Sequence, residues 1–146
     1  MSGNNVRMSI CSRQFFAGLE EERVEQQVEG RLLPRRGGWL LSYREGEAGG
    51  AEEILTVLRL EEDGVELQRT GAVNVRMRFR AGEPFQTRYG TAYGVIPMEI
   101  RTRRLACRVE DSSGEVEIDY ELDLGGHIGR TLFRMSLLPL APGETT

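Results

Sequence analysis

FQTRYGTAYGVIPMEIRTRR, residues 85–104, decides the fold. Phe85, Thr87 and Tyr89 fall on one parity, and Ile96, Met98, Ile100 and Thr102 on another. A period of two places each set on one face of a strand. Between them stands Tyr89-Gly90-Thr91-Ala92-Tyr93-Gly94, where the alternation breaks. Its glycines permit backbone angles that other residues avoid, so the segment is expected to close a barrel mouth with Tyr93 as a lid. Beyond Arg103 and Arg104 the apolar residues Leu105, Cys107 and Val109 take the opposite parity. One extra residue there, a β-bulge, would return them to the same face.

The next strand toward the C-terminus has the cleanest alternation in the chain. Val116, Ile118, Tyr120, Leu122 and Leu124 face one way; Glu115, Glu117, Asp119, Glu121 and Asp123 face the other. A hairpin centred on Gly125-Gly126 sets Tyr120 opposite Thr131, Ile118 opposite Phe133 and Val116 opposite Met135. The same register sets Glu121 opposite Arg130 and Glu117 opposite Arg134. Apolar meets apolar and acid meets base, which fixes the pairing.

Toward the N-terminus the pattern repeats. Val6, Met8 and Ile10 alternate, a strand is expected over about 23–33, and Trp39, Leu41 and Tyr43 share a face beyond the loop 34–38. Residues 45–51, Gly-rich and acidic, form the expected mobile loop. Asp63-Gly64 is a two-residue hairpin signal; it would set Leu60 opposite Leu67 and Leu58 opposite Arg69. Val73, Val75, Met77 and Phe79 form the next apolar face, with Arg76, Arg78 and Arg80 on the other. A loop at Ala81-Gly82-Glu83 would pair Phe79 with Phe85, Met77 with Thr87 and Val75 with Tyr89.

No helical run and no repeat interrupts this series. The 146 residues therefore read as one all-β domain, with a core over about 6–139 and flexible ends at 1–5 and 140–146. Almost every connection is a hairpin, and closure removes the edges. A single closed, antiparallel, largely up-and-down barrel of about eight to ten strands is expected.

Trp39-Leu40-Leu41-Ser42-Tyr43, the Asp-Gly hairpin leading to Arg69-Thr70-Gly71, Met77-Arg78-Phe79 with Gly82, and Tyr89–Gly94 occur in that order. Together with Thr102, and with Tyr120 and Leu122 before Gly126, this set resembles the bacterial YwiB-like family over roughly Val6 to Leu138. Ala92 stands where that family's pattern has proline. The resemblance implies a lipocalin-like, calycin-type β-barrel, with no established activity and no catalytic residues.

Composition narrows function. A net charge of −4 argues against a nucleic-acid partner. All 19 basic residues are arginine. The two cysteines, Cys11 and Cys107, lie far apart, as expected of reduced thiols. No segment approaches the roughly 20 apolar residues of a membrane helix, and the N-terminus lacks a secretory apolar run. A cytoplasmic protein, monomer or homodimer, is expected. No phosphate loop, nucleophile elbow or paired metal ligands occur; His127 reads as a solvated turn residue, and no cofactor or metal is expected. Glu99, beside the Tyr-Gly segment, is the nearest candidate acid for an enzyme, but its parity is outward.

The inward parity carries the candidate site. Tyr43, Tyr89, Thr102, Tyr120, Thr131 and Arg69 all fall on it. Several hydroxyls and one cation in a barrel suit a small amphipathic ligand, one bearing a carboxylate for instance. The non-catalytic binding barrel is the leading expectation. The alternatives are a filled barrel serving structure or interaction, and an enzyme using interior Tyr, Glu and Arg. An unpaired guanidinium cannot stay dry. Arg69 must reach the rim, find a protein carboxylate, or serve as the anion reader.

Overall fold

The fold was established from a computed structural model, which describes residues 3–47 and 49–140. Those residues form ten strands and no helix: β1 (Asn4–Phe16), β2 (Glu22–Arg35), β3 (Gly38–Glu45), β4 (Ile54–Glu61), β5 (Gly64–Gly71), β6 (Val75–Phe79), β7 (Pro84–Thr91), β8 (Gly94–Glu110), β9 (Ser113–Leu124) and β10 (His127–Pro139). All pairs are antiparallel, in the order β6-β5-β4-β3-β2-β1-β10-β9-β8-β7. Each strand neighbours the next in sequence, apart from β6 and β7, which stand at the two ends of the order. The terminal strands β1 and β10 close the ring through a full ladder, from Val6 opposite Pro139 to Phe16 opposite Gly129. The result is the nearly closed, up-and-down barrel that the alternation implies.

The hairpin β9–β10 keeps every expected partner, including Tyr120 with Thr131 and Glu117 with Arg134. Gly125 and Gly126 take φ of 60° and 96°, the left-handed region that a tight two-residue turn requires. The bulge also forms: Thr102 pairs with Tyr120 and Arg104 with Asp119, leaving Arg103 as the extra residue.

Several expectations require correction. The β4–β5 turn is centred on Glu62-Asp63, because Glu61 pairs with Gly64. Leu60 therefore meets Val65, Leu58 meets Leu67, and Arg69 meets Thr56 rather than Leu58. This register replaces a Glu61–Glu66 clash with Arg59 opposite Glu66, and opposite charges across a pair outweigh the Asp-Gly turn preference. The Tyr-Gly segment is no lid. Gly90 pairs with Val95 and Thr91 with Gly94, so the segment is a hairpin tip with Tyr93 fully in solvent. The Thr91 hydroxyl accepts the Tyr93 N–H at 3.1 Å and donates to the Gly94 carbonyl at 3.1 Å, which holds the turn without any barrel contact. Strand β1 begins at Asn4, within the expected flexible end, because Asn4 and Asn5 pair with Leu32 and Arg31. Of the expected mobile loop, Ala48 lies outside the described residues, as do residues 141–146 of the other end.

The β6–β7 hairpin is the fourth correction. Its expected register is present at one bridge only, Asn74 with Gly90, through N–H to carbonyl bonds of 2.9 and 2.8 Å. Val75–Phe79 and Pro84–Tyr89 lie on that register yet form no ladder with each other. The connecting loop is drawn elsewhere: the Gly82 N–H donates to the Thr102 carbonyl at 3.3 Å, at the β8 bulge. The barrel therefore has one loosened seam.

The core lies inside, from the end where β1 begins and β10 ends to beyond the Thr102–Tyr120 pair. Val6, Met8, Leu32, Leu41, Leu58, Ile100, Val116 and Met135 are fully buried. At that end the Trp39 indole N–H donates to the Val109 carbonyl at 3.0 Å, tying β3 to β8. Burying such side chains contributes roughly 1.5–3 kcal/mol each.

Candidate functional site

Two interior rows of polar side chains face one another across the barrel. Cross-strand pairing aligns Tyr43, Thr56 and Arg69 on β3, β4 and β5. On the opposite wall it aligns Thr102, Tyr120 and Thr131 on β8, β9 and β10. Thr56, Thr102, Thr131 and both tyrosines are buried. The Phe79 ring, reaching in from β6, lies 4.7 Å from the Tyr120 ring at 53°, a tilted contact that bridges the walls.

Arg69 has found a protein carboxylate. Its guanidinium donates to Glu45 Oε1 at 3.2 Å, and the two side chains are only 29% and 22% exposed. The Thr56 hydroxyl donates to the same oxygen at 3.5 Å. The electrostatics of the rows follow. Burial pushes the Tyr43 phenol up to about 12, helped by the Glu45 charge and opposed by Arg69 and by a hydrogen bond with Thr56. Burial likewise raises Tyr120, with Thr131 and the Arg69 charge pulling it back. Arg69 is thus felt by both tyrosines, one on each wall. Thr102, 6% exposed, has a buried hydroxyl with no hydrogen-bond partner. Buried polar groups are generally paired, so this hydroxyl, without a partner among the described residues, is an exception in the interior.

One member of these rows, Arg69, reaches a cavity at the seam. A cavity of about 420 Å³ is lined by Arg69, Val75 and Thr87 from the inward faces of β5, β6 and β7. The same cavity is lined by Gln68, Arg76 and Arg88 from the outward faces. This cavity lies beside the β6–β7 seam, where no ladder closes the wall.

Of the candidate residues, Tyr43, Arg69, Thr102, Tyr120 and Thr131 lie in the two rows. Tyr89 is half-buried on β7 opposite Ile96, nearer the seam. Thr56 and Glu45 were not among the candidates, although both carry a signal. Glu45 continues the parity of Trp39, Leu41 and Tyr43, and Thr56 interrupts an apolar face that continues with Leu58 and Leu60. His127 is exposed beside its turn. Among the described residues no group of three His, Cys, Asp or Glu could hold a metal ion. Glu99 lies on the outer wall, where hydrogen bonds from Arg101 and Gln86 hold its carboxyl below the usual range. That is the reverse of a poised general acid. Among the described residues no helix is long and apolar enough to cross a membrane.

The comparisons with known proteins agree with this architecture. The chain is 24% identical over 105 residues to the uncharacterized beta-barrel protein YwiB of Bacillus subtilis (strain 168), covering 72% of each chain. The crystal structure of the Bacillus subtilis ywiB protein superposes with a TM-score of 0.79 at 20% identity, covering 92% of both chains, and so shares the fold. The family model described as a domain of unknown function, DUF1934, matches residues 8–133, and with the barrel now traced strand by strand, the chain belongs to that family.

Proposed function

We propose that the protein is a non-catalytic barrel that binds a small amphipathic acid. The acid group would take the place of the Glu45 carboxylate on the Arg69 fork, a geometry suited to two parallel hydrogen bonds. The apolar part would lie against Val75 and Phe79, with the Thr102 hydroxyl as a further partner. The observation that carries this reading is the cavity at the seam, which joins Arg69 to the outside. In keeping with the acidic net charge and two unbonded cysteines, we place the protein in the cytoplasm as a monomer or homodimer without a nucleic-acid partner. The buried core at the Trp39 end favours a second reading, a filled barrel serving interaction only. Titration with 8-anilinonaphthalene-1-sulfonate, an amphipathic anion, separates the two. Saturable fluorescence that decanoate displaces, and that Arg69→Met abolishes, supports the binding barrel. Equal binding by Arg69→Met rejects Arg69 as the reader, and no saturable binding leaves the filled barrel. Native mass spectrometry of protein purified from its own source would then show the retained molecule.

A further inference from the structure

The outer wall carries a second feature, which shares no residue with the seam. A groove of about 600 Å³ runs across β8, β9, β10, β1 and β2, lined by five arginines against two carboxylates, Glu117 and Asp119. Pairing places Arg104, Asp119, Leu132, Arg13 and Arg23 side by side across the five strands. Leu132 and Ala106 give the groove apolar surface, and Cys11, half-buried, lines it too.

The charges are arranged unusually for a solvated wall. Arg13 stands directly opposite Arg23, and like charges at paired positions repel. Their carboxylate partners are Glu21 and Glu25, at 2.5 and 2.6 Å. Those pairs are exposed, and exposed pairs exchange partners at little cost. Asp119 is already neutralised by a two-pronged bond from Arg130, at 2.9 and 2.7 Å. Arg104 has no ion pair among the described residues. Its Cα stands three strand spacings from that of Arg13, about 14 Å, with Asp119 and Leu132 between them. Unpaired Arg104 on one side, and the exchangeable Arg13 and Arg23 pairs on the other, flank the apolar surface of Leu132, a placement that matches a ligand with an anionic group at each edge of an apolar body.

We propose that this groove binds a small organic dianion, a dicarboxylate or a phosphate monoester with an apolar body. Phthalate and phenyl phosphate represent the two sources, and the tighter binder identifies the class. Cys11 supplies the reporter. Its alkylation by iodoacetamide should slow as either probe saturates the groove. Cys107, buried and with its thiol pushed up to about 11 by that burial, should stay unreacted as the internal control. Arg104→Gln should weaken the probe about tenfold, the loss of one charge-assisted contact, and Arg13→Gln should do the same with an unchanged melting curve. Arg69→Met should leave probe binding intact, which separates this groove from the seam. No protection of Cys11 by either probe, or protection that survives both arginine substitutions, overturns the proposal. Loss of probe binding in Arg69→Met alone would also overturn it, by assigning the probe to the seam.

Discussion

At the scale of single residues, Arg69 and Glu45 form one unit in which each stabilises the other's charge. Arg69→Met strands a carboxylate that is largely shielded from water, and Glu45→Gln strands the guanidinium. Each single change should lower stability by about 1 kcal/mol, since partial exposure screens the pair. The double variant should regain most of that loss, which urea melts of the four proteins would read as a coupling energy. A second residue-scale expectation concerns alkaline pH. Tyr43 and Cys107 both have folded values raised by burial, to about 12 and about 11, from 10.0 and 9.0. Their stabilising contribution is therefore complete below pH 9.0 for the thiol and below pH 10.0 for the phenol. It is lost as pH rises through the folded values, because the unfolded chain releases its protons first. The loss per group is on the order of 3 kcal/mol. Stability measured from pH 8 to 11 should fall above about pH 9, and Tyr43→Phe should flatten the part of that fall above pH 10.

At the scale of strands and turns, what the sequence discloses depends on how many independent signals coincide. The β9–β10 register is readable because apolar faces, charge pairs and a Gly-Gly turn all demand the same partners. A one-residue slip would turn Ile118 and Tyr120 outward, so deleting Gly126 should abolish cooperative unfolding altogether, as followed by near-ultraviolet circular dichroism. The bulge is equally readable, since Leu105 and Cys107 change parity within one strand. Removing Arg103 should expose Cys107 to iodoacetamide, an outcome the parent protein would not show. Where signals conflict, local turn chemistry misleads. Asp63-Gly64 suggests one register for β4–β5, and the pairing of Arg59 with Glu66 imposes another. That two-residue shift is also why Thr56 escaped notice as the neighbour of Arg69, whereas the hydroxyls opposite, at Thr102, Tyr120 and Thr131, were legible from a register that held. Close backbone approach is less legible still. A Cβ at Gly30 would sit 2.4 Å from the Ser42 carbonyl and 2.9 Å from the Met8 methyl. Nothing in the alternation marks that contact, which lets β2 pass tightly beside Tyr43.

At the scale of the whole molecule, alternation discloses that a barrel closes but not where its closure is weakest. The first and last strands, the ordinary place for fraying, are joined by a full β1–β10 ladder, and the weak line falls between two strands adjacent in sequence. Strand β6 is five residues long, its connection is bonded to the β8 bulge, and a single bridge joins β6 to β7. Amides of β6 and β7 facing the seam should therefore exchange with deuterium well before those of β1 and β10, whose opening requires global unfolding. The same geometry allows the seam to be locked. Arg76 and Arg88 both point outward and lie on the register set by the Asn74–Gly90 bridge, so a cysteine at each would be opposed if the ladder formed. A disulfide needs Cα atoms within about 7 Å, and oxidation of the Arg76→Cys, Arg88→Cys variant would draw the strands together. If the seam is the route to Arg69, the oxidised form should take up 8-anilinonaphthalene-1-sulfonate far more slowly than the same variant after reduction. The reduced form is the proper control, because it has lost the same two charges. Equal uptake in both forms would show that the interior is reached elsewhere, with the end of the barrel bounded by the Phe16, Glu45 and Gly71 strand ends as the remaining entrance.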